Sequence, residues 1–150
     1  MESTGNSEVI SGDNRVEIKG AYDLSVFYED TDLSGYVYHA NYLKFFERAR
    51  STLISVELVR DLYNKGVHFV VAGANLKYKR PALYGDRLTV KTNLTFTRSP
   101  RTIVTQNVYK NGSDRPIVEG EVELVLVNRE GKPVETPDFM FEMIETYLKN

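Results

Sequence analysis

The spacing of apolar residues changes once along this chain, and that change restricts the possible folds more than any other feature. From Asn41 onward, Tyr42, Phe45, Phe46, Ala49, Leu53, Val56 and Tyr63 recur at three- and four-residue steps, with Lys44, Glu47, Arg48, Arg50 and Ser51 filling the opposite side. This predicts one long amphipathic helix, or two in succession with a bend near Ser55, stopped by Asn64-Lys65-Gly66. After Gly66 the period falls to two, and the runs 67–79, 88–97, 102–110 and 117–128 read as strands rich in Val, Thr, Leu and aromatics. In the last run Val118, Val122, Leu124 and Leu126 share one parity and Glu119, Glu121 and Glu123 the other, so one face is built for a core. Segments 98–101 (RSPR) and 111–114 (NGSD) have hairpin-turn chemistry, which predicts an antiparallel meander.

Upstream, Tyr22, Leu24, Val26 and Tyr28 alternate with Asp23, Ser25 and Phe27 as a fifth strand. Downstream, Thr136-Pro137-Asp138 supplies a capping hydroxyl and a first-turn proline ahead of Phe139, Met140, Met143, Ile144 and Tyr147, a short terminal helix. Residues 1–20, rich in Ser, Gly, Asn, Asp and Glu, read as a flexible N-terminal tail, leaving 21–150 as one domain. The expected class is α+β, with five antiparallel strands wrapped around a long helix.

Composition excludes several functions. Lys and Arg number 19 against 21 for Asp and Glu, which is not the basic excess that binding a phosphate backbone requires, so no nucleic acid is expected as partner. The absence of cysteine removes disulfides, thiolate nucleophiles and Cys-type zinc sites. No basic-then-apolar leader and no run of about 18 apolar residues occurs, so the expectation is a cytoplasmic protein without an integral membrane segment.

The chemistry concentrates between Val26 and Arg50, where strand gives way to an acidic turn, Glu29-Asp30-Thr31-Asp32-Leu33-Ser34-Gly35, and then to helix. Such residues make turns and caps in any protein. A calcium loop fits Asp30, Asp32, Ser34 and Gly35, but the position needing a bidentate Glu holds Asn41 and a strand precedes the loop, so no metal is expected. Serine nucleophile chemistry with Ser34 and His39 lacks any activating context. The remaining reading places a carboxylate beside a carbonyl polarised by unpaired N–H groups at the start of the following helix, and it needs this order of strand, turn and helix.

The run 26–32 (VFYEDTD) through Gly35, then 37–42 (VYHANY) and 46–50 (FERAR), resembles the signature of the hotdog-fold acyl-CoA thioesterases. The likeness is to the 4-hydroxybenzoyl-CoA thioesterase superfamily and its Tol-Pal-associated branch. It covers about 25 contiguous residues closely, and the strand order extends it over most of the domain; Lys79-Arg80-Pro81-Ala82 and Gly85-Asp86 sit where the family carries a similar turn. The resemblance implies a hotdog fold and hydrolysis of acyl-CoA, with an acyl carrier protein as the alternative thioester donor and no cofactor. It places the catalytic carboxylate on Asp32, the carbonyl-polarising amide on His39 and an active-site tyrosine on Tyr28, and assigns Gly35, Val37, Tyr38 and Tyr42 to the substrate site. Glu47 is then a supporting group beside Arg48 and Arg50, because the turn already supplies the acid. For the phosphates of coenzyme A the basic candidates near strand ends are Lys79, Arg80, Arg98 and Arg101, with Lys77 beside them. The resemblance further implies a homodimer joined sheet to sheet, and dimers of dimers as tetramers. The rivals are a non-catalytic acyl-binding hotdog module, against which Asp32 argues, and a hotdog hydratase, which needs a His and acid placement absent here.

Overall fold

A computed structural model describes residues 3–4 and 7–149, with the backbone alone at Ser3 and Thr4. Strands β1 (Ser3–Thr4), β2 (Glu8–Gly12) and β3 (Arg15–Ser25) are followed by a 3-10 turn, Tyr28–Asp30, and helices α1 (Asn41–Ile54) and α2 (Val56–Asn64). Then come β4 (Val67–Tyr78), β5 (Arg87–Thr97), β6 (Arg101–Lys110), β7 (Pro116–Asn128) and α3 (Asp138–Leu148). The architecture is α+β: an antiparallel sheet in the order β3-β5-β6-β7-β4, with β1 and β2 sharing the outer side of β3. β3 to β7 overlap the five predicted runs with shifted ends, but the expected five-stranded sheet is corrected to one of seven strands.

Two further strands come from the segment expected to be a flexible tail. Val16 and Ile18 are buried beneath the alternating exposed or half-buried Arg15, Glu17 and Lys19, a period-two signal hidden within polar composition. Asp13 and Asn14 turn the β2–β3 hairpin, with Asn14 in the left-handed conformation at φ 56°. Glu8–Gly20 is therefore sheet rather than tail, while Met1, Glu2, Gly5 and Asn6, part of the same expectation, lie outside the described residues.

The single long helix is also corrected. Ser55 adopts φ 87°, which ends α1; its N–H donates to Ser51 C=O, and its Oγ accepts from Leu58 N–H as the cap of α2. At the C-terminal helix the expected Thr136 cap is not formed. Thr136 Oγ1 donates instead to Thr97 C=O at 2.6 Å, and Pro137 takes the cap position of α3.

α1 lays Tyr42, Phe45, Phe46, Ala49, Leu53 and Ile54 against the concave sheet. Its height is set by glycine: a Cβ on Gly120 of β7 would meet Phe46 Cε2 at 2.5 Å, so the ring occupies the side-chain space of the strand position beneath it. Gln106 fastens the same level, donating to Phe46 C=O at 3.0 Å and to Thr92 Oγ1 at 2.9 Å while accepting from Arg50 Nη1 at 2.8 Å. Every polar atom of that buried amide is paired, as burial demands.

Candidate active site

Strand β3 ends three residues before Tyr28, and the reason is local. The Asp30 carboxylate accepts from Phe27 N–H at 2.8 Å, winding 28–30 into a 3-10 turn, and its other oxygen accepts from Asn41 Nδ2 at 2.8 Å. Asp30 C=O also takes Tyr38 N–H, so this buried acid stitches the turn to the first residue of α1. Two bridges, Thr31 with Val37 and Tyr36 with Leu83, close the intervening loop, while Val37 N–H donates to Ala82 C=O. Gly35 reverses the chain at φ 83°, a conformation a side chain would strain.

That loop presents Asp32 at the surface of a cleft of about 310 Å³. Ser34, Tyr36, Val37, His39, Tyr42 and Tyr78 line it, with Lys79, Arg80 and Pro81 at one end. Ser34 is no nucleophile here: its Oγ–H and its N–H, the latter at 2.9 Å, both donate to Asp32 Oδ1. These bonds, the side-chain one foremost, hold the Asp32 carboxyl below its ordinary 3.8, and the charge of His39 acts in the same direction. Asp32 is thus an exposed, ionised carboxylate at neutral pH. Burial pushes the Tyr42 hydroxyl up to about 12, so it stays protonated at the floor of the cleft.

α1 begins without a side-chain cap, because its N-cap residue is Ala40. Asn41 N–H donates to Tyr38 C=O at 2.8 Å and closes a tight turn with His39 and Ala40 at its centre. Among the described residues, the N–H groups of His39 and Ala40 have no acceptor within the chain. These two donors thus stand, without an acceptor among the described residues, at the positive end of a 14-residue helix, where the helix dipole favours negative charge.

The cleft thus gathers Asp32, Val37, His39, Tyr42, Lys79 and Arg80. Gly35 forms the adjoining turn, and the Tyr38 ring packs 4.6 Å from the His39 ring. Tyr28 is not brought in: at 80% exposure on the 3-10 turn, it meets only the edge of Tyr84 among described rings. Glu47 lies on the solvent side of α1, accepting from Ser51 Oγ at 2.6 Å. Lys79 pairs with Glu119 at 2.9 Å, and Arg80 donates to Pro116 C=O at 2.8 Å. Arg98 and Arg101 sit at the other end of the sheet. Tyr78 is opposite Val118 on β7 and Arg101 opposite Val125, seven residues and roughly 23 Å along the strand. Arg98 binds Asp138, Thr136 C=O and Asn14 and faces the Phe141 ring, tying α3 to the sheet, while Arg101 pairs with Glu123.

Among the described residues no three His, Asp or Glu side chains converge on a metal-sized site. Sequence reasoning misses Tyr78, whose hydroxyl donates to His39 C=O at 2.9 Å; its one sequence signal is an aromatic ending a strand just before Lys79-Arg80.

Known proteins resemble this chain in sequence and in fold. Residues 26–144 match the model of the thioesterase-like superfamily. The chain is 35% identical over 109 residues to the acyl-CoA thioester hydrolase YbgC of Escherichia coli O6:H1, covering 71% of this chain and 81% of that protein. It is 34% identical over 127 residues to the acyl-CoA thioesterase YbgC of Helicobacter pylori 26695, covering 79% and 95%. Among solved structures, a probable thioesterase from Bartonella henselae superposes with a TM-score of 0.62 at 38% identity, covering 78% of this chain and 96% of that one. By sequence match and by architecture, the chain belongs to the thioesterase-like superfamily.

Proposed function

We propose that this protein hydrolyses acyl-CoA thioesters to the free acid and coenzyme A. The observation that carries the reading is the ionised Asp32 at a cleft that also contains the uncapped start of α1. The thioester oxygen sits on the His39 N–H, and a single donor of this kind stabilises the tetrahedral oxyanion by roughly 2.7–4 kcal/mol. Asp32 attacks the carbonyl carbon directly, forming an acyl–aspartyl anhydride that water cleaves, or removes the proton from an attacking water. In either route the C–S bond breaks, the thiolate leaves, and a proton from water restores the thiol. Lys79 and Arg80 offer the phosphates of coenzyme A a basic rim.

We further propose a side-by-side dimer through β4. Among the described residues that strand pairs with β7 on one side only, and it exposes Val70 and Val71. Leu33, Tyr28 and Tyr84 lie exposed near the acidic turn, apolar surface that a second copy would cover. Pairing of dimers into a tetramer would use other faces.

The experiment is a panel of short, medium, long and aromatic acyl-CoAs assayed for thiol release, with oligomeric state measured by sedimentation. Asp32→Asn is expected to abolish release, while Glu47→Gln retains most of it. No thiol from any substrate by the folded oligomer, or full activity in Asp32→Asn with loss in Glu47→Gln, would overturn the reading.

A further inference from the structure

The carbonyl oxygen of His39 and the N–H of Ala40 belong to one peptide unit. That unit is planar and trans, so whatever fixes its carbonyl also fixes the direction of its N–H. Its carbonyl is held by the Tyr78 hydroxyl at 2.9 Å, and its N–H has no acceptor within the chain among the described residues. Tyr78 is well placed to hold it. It is the last residue of β4, registered against Val118, and its ring lies 6.2 Å edge-on from His39 and 5.8 Å from the buried Tyr42.

We propose that Tyr78 is a positioning residue of the oxyanion site, which donates to the His39 carbonyl and so aims and polarises the Ala40 N–H as a second donor to the thioester oxygen. The inference rests on the hydrolase reading given above. In the turn that opens α1, the N–H groups of His39 and Ala40 are consecutive, and neither has an acceptor among the described residues. A hydrogen bond to the carbonyl of an amide withdraws charge from its N–H and makes that N–H a stronger donor, the cooperativity found along hydrogen-bond chains. A phenol is well suited to this role, because the ring is rigid and burial raises the hydroxyl above its ordinary 10.0, so it keeps its proton throughout the neutral range. The arrangement also couples the helix start to the tip of the edge strand.

The sequence permits a direct test. His-Ala occurs once, at residues 39–40, because the other histidine, His68, precedes Phe69. Protein labelled with carbonyl-13C histidine and 15N alanine therefore gives one carbon-filtered amide signal, that of Ala40. Tyr78→Phe keeps the ring and removes the donor. The expected results are an upfield 15N shift of the Ala40 signal, unchanged amides at Ala49 and Ala82, and kcat reduced about five- to thirtyfold with KM within about twofold. An Ala40 signal that stays in place overturns the positioning role, whatever happens to the rate. So does an unchanged kcat, or a loss that falls on KM alone. A wild-type protein that releases no thiol overturns the hydrolase reading instead, and the amide signal is read independently of it.

Discussion

Gly120→Ala places one methyl group where the structure has no room. Its Cβ would stand 2.5 Å from Phe46 Cε2, 2.8 Å from Cζ and 3.0 Å from the main-chain oxygen of Gln106. Carbon atoms pack comfortably at about 3.5–4.0 Å, so the ring has to retreat by about 1 Å. It has nowhere to turn: Phe46 is fully buried, and its own carbonyl is tied to the Gln106 side chain. The strain passes instead to α1 as a whole, and overpacking of this kind costs about 1–3 kcal/mol. For a chain of this length that lowers Tm by roughly 3–10 °C. Activity should fall further than stability, because α1 carries the His39–Ala40 donors at its start and a displacement of about 1 Å can cost about 100-fold in rate. The assay is thermal unfolding together with kcat for Gly120→Ala, Phe46→Leu and the double variant. The smaller side chain of Phe46→Leu should recover about 1–2 kcal/mol of the glycine variant's loss as a non-additive term. Gly20→Ala is the control: its Cβ clashes with the flexible tip of Leu53 at 2.5 Å and touches Ser7 Cβ and Cα at the ordinary contact distances of 3.5 and 3.7 Å, so its cost stays within about 1 kcal/mol. A stable and active Gly120→Ala, or strictly additive behaviour with Phe46→Leu, would refute the seating of α1 on that glycine.

The Asp32 carboxyl is held below 3.8, so the acid limb of kcat/KM should fall below that value, and Ser34→Ala, which removes the largest cause, should move the limb upward. The sign for stability agrees: a depressed folded pKa gives stabilisation that is present above the unfolded value and lost as pH falls through the folded one. Asp30→Ala leaves Phe27 N–H and Asn41 Nδ2 without their acceptor and should cost about 3 kcal/mol in denaturant unfolding, whereas Asp30→Asn combined with Asn41→Asp restores both bonds and most of the loss. Arg98→Ala should lower stability by about 1 kcal/mol and leave KM for acyl-CoA unchanged, and Arg80→Ala should raise KM; the reverse pattern in steady-state kinetics would exchange their roles.

What the sequence shows and what it hides divide along physical lines. The placement of Asp32 in the cleft is legible because a turn carboxylate next to a helix start is a local arrangement, contained in a dozen residues. The five main strands and the helix face are legible because periodicity is local too. In sequence Arg98 and Arg101 group with Lys79 and Arg80 because all four stand near strand ends, and only the register of β6 on β7 shows that they occupy opposite ends of the sheet. Tyr28 reads as strand because alternation runs on to it. The Asp30 carboxylate outcompetes the ladder for Phe27 N–H, a side-chain choice that no hydropathy pattern records. The β2–β3 hairpin is masked because Ser, Gly, Asn, Asp and Glu together make up 12 of residues 1–20, although Val16 and Ile18 alternate among them. Tyr78 reaches His39 across 39 positions of sequence, beyond any local signal.

These contacts distribute rigidity unevenly across the site. The donor side is fixed from three directions: Asp30 holds Asn41, Tyr78 holds the His39 carbonyl, and Phe46 rests on Gly120 beneath the same helix. The carboxylate side is held by far less, since Asp32 is exposed and both Ser34 donors converge on its Oδ1. Oδ2 stands outside that pair. An oxyanion site works by being organised before charge develops, and rearranging it during reaction would forfeit the stabilisation. A nucleophile or base has the opposite need, because it must approach the carbonyl carbon and then release what it has bound. On the proposed reading the fold would meet both needs by building the donors into the junction of helix and sheet and hanging the carboxylate on a short turn, with one oxygen anchored by Ser34 and the other outside that pair.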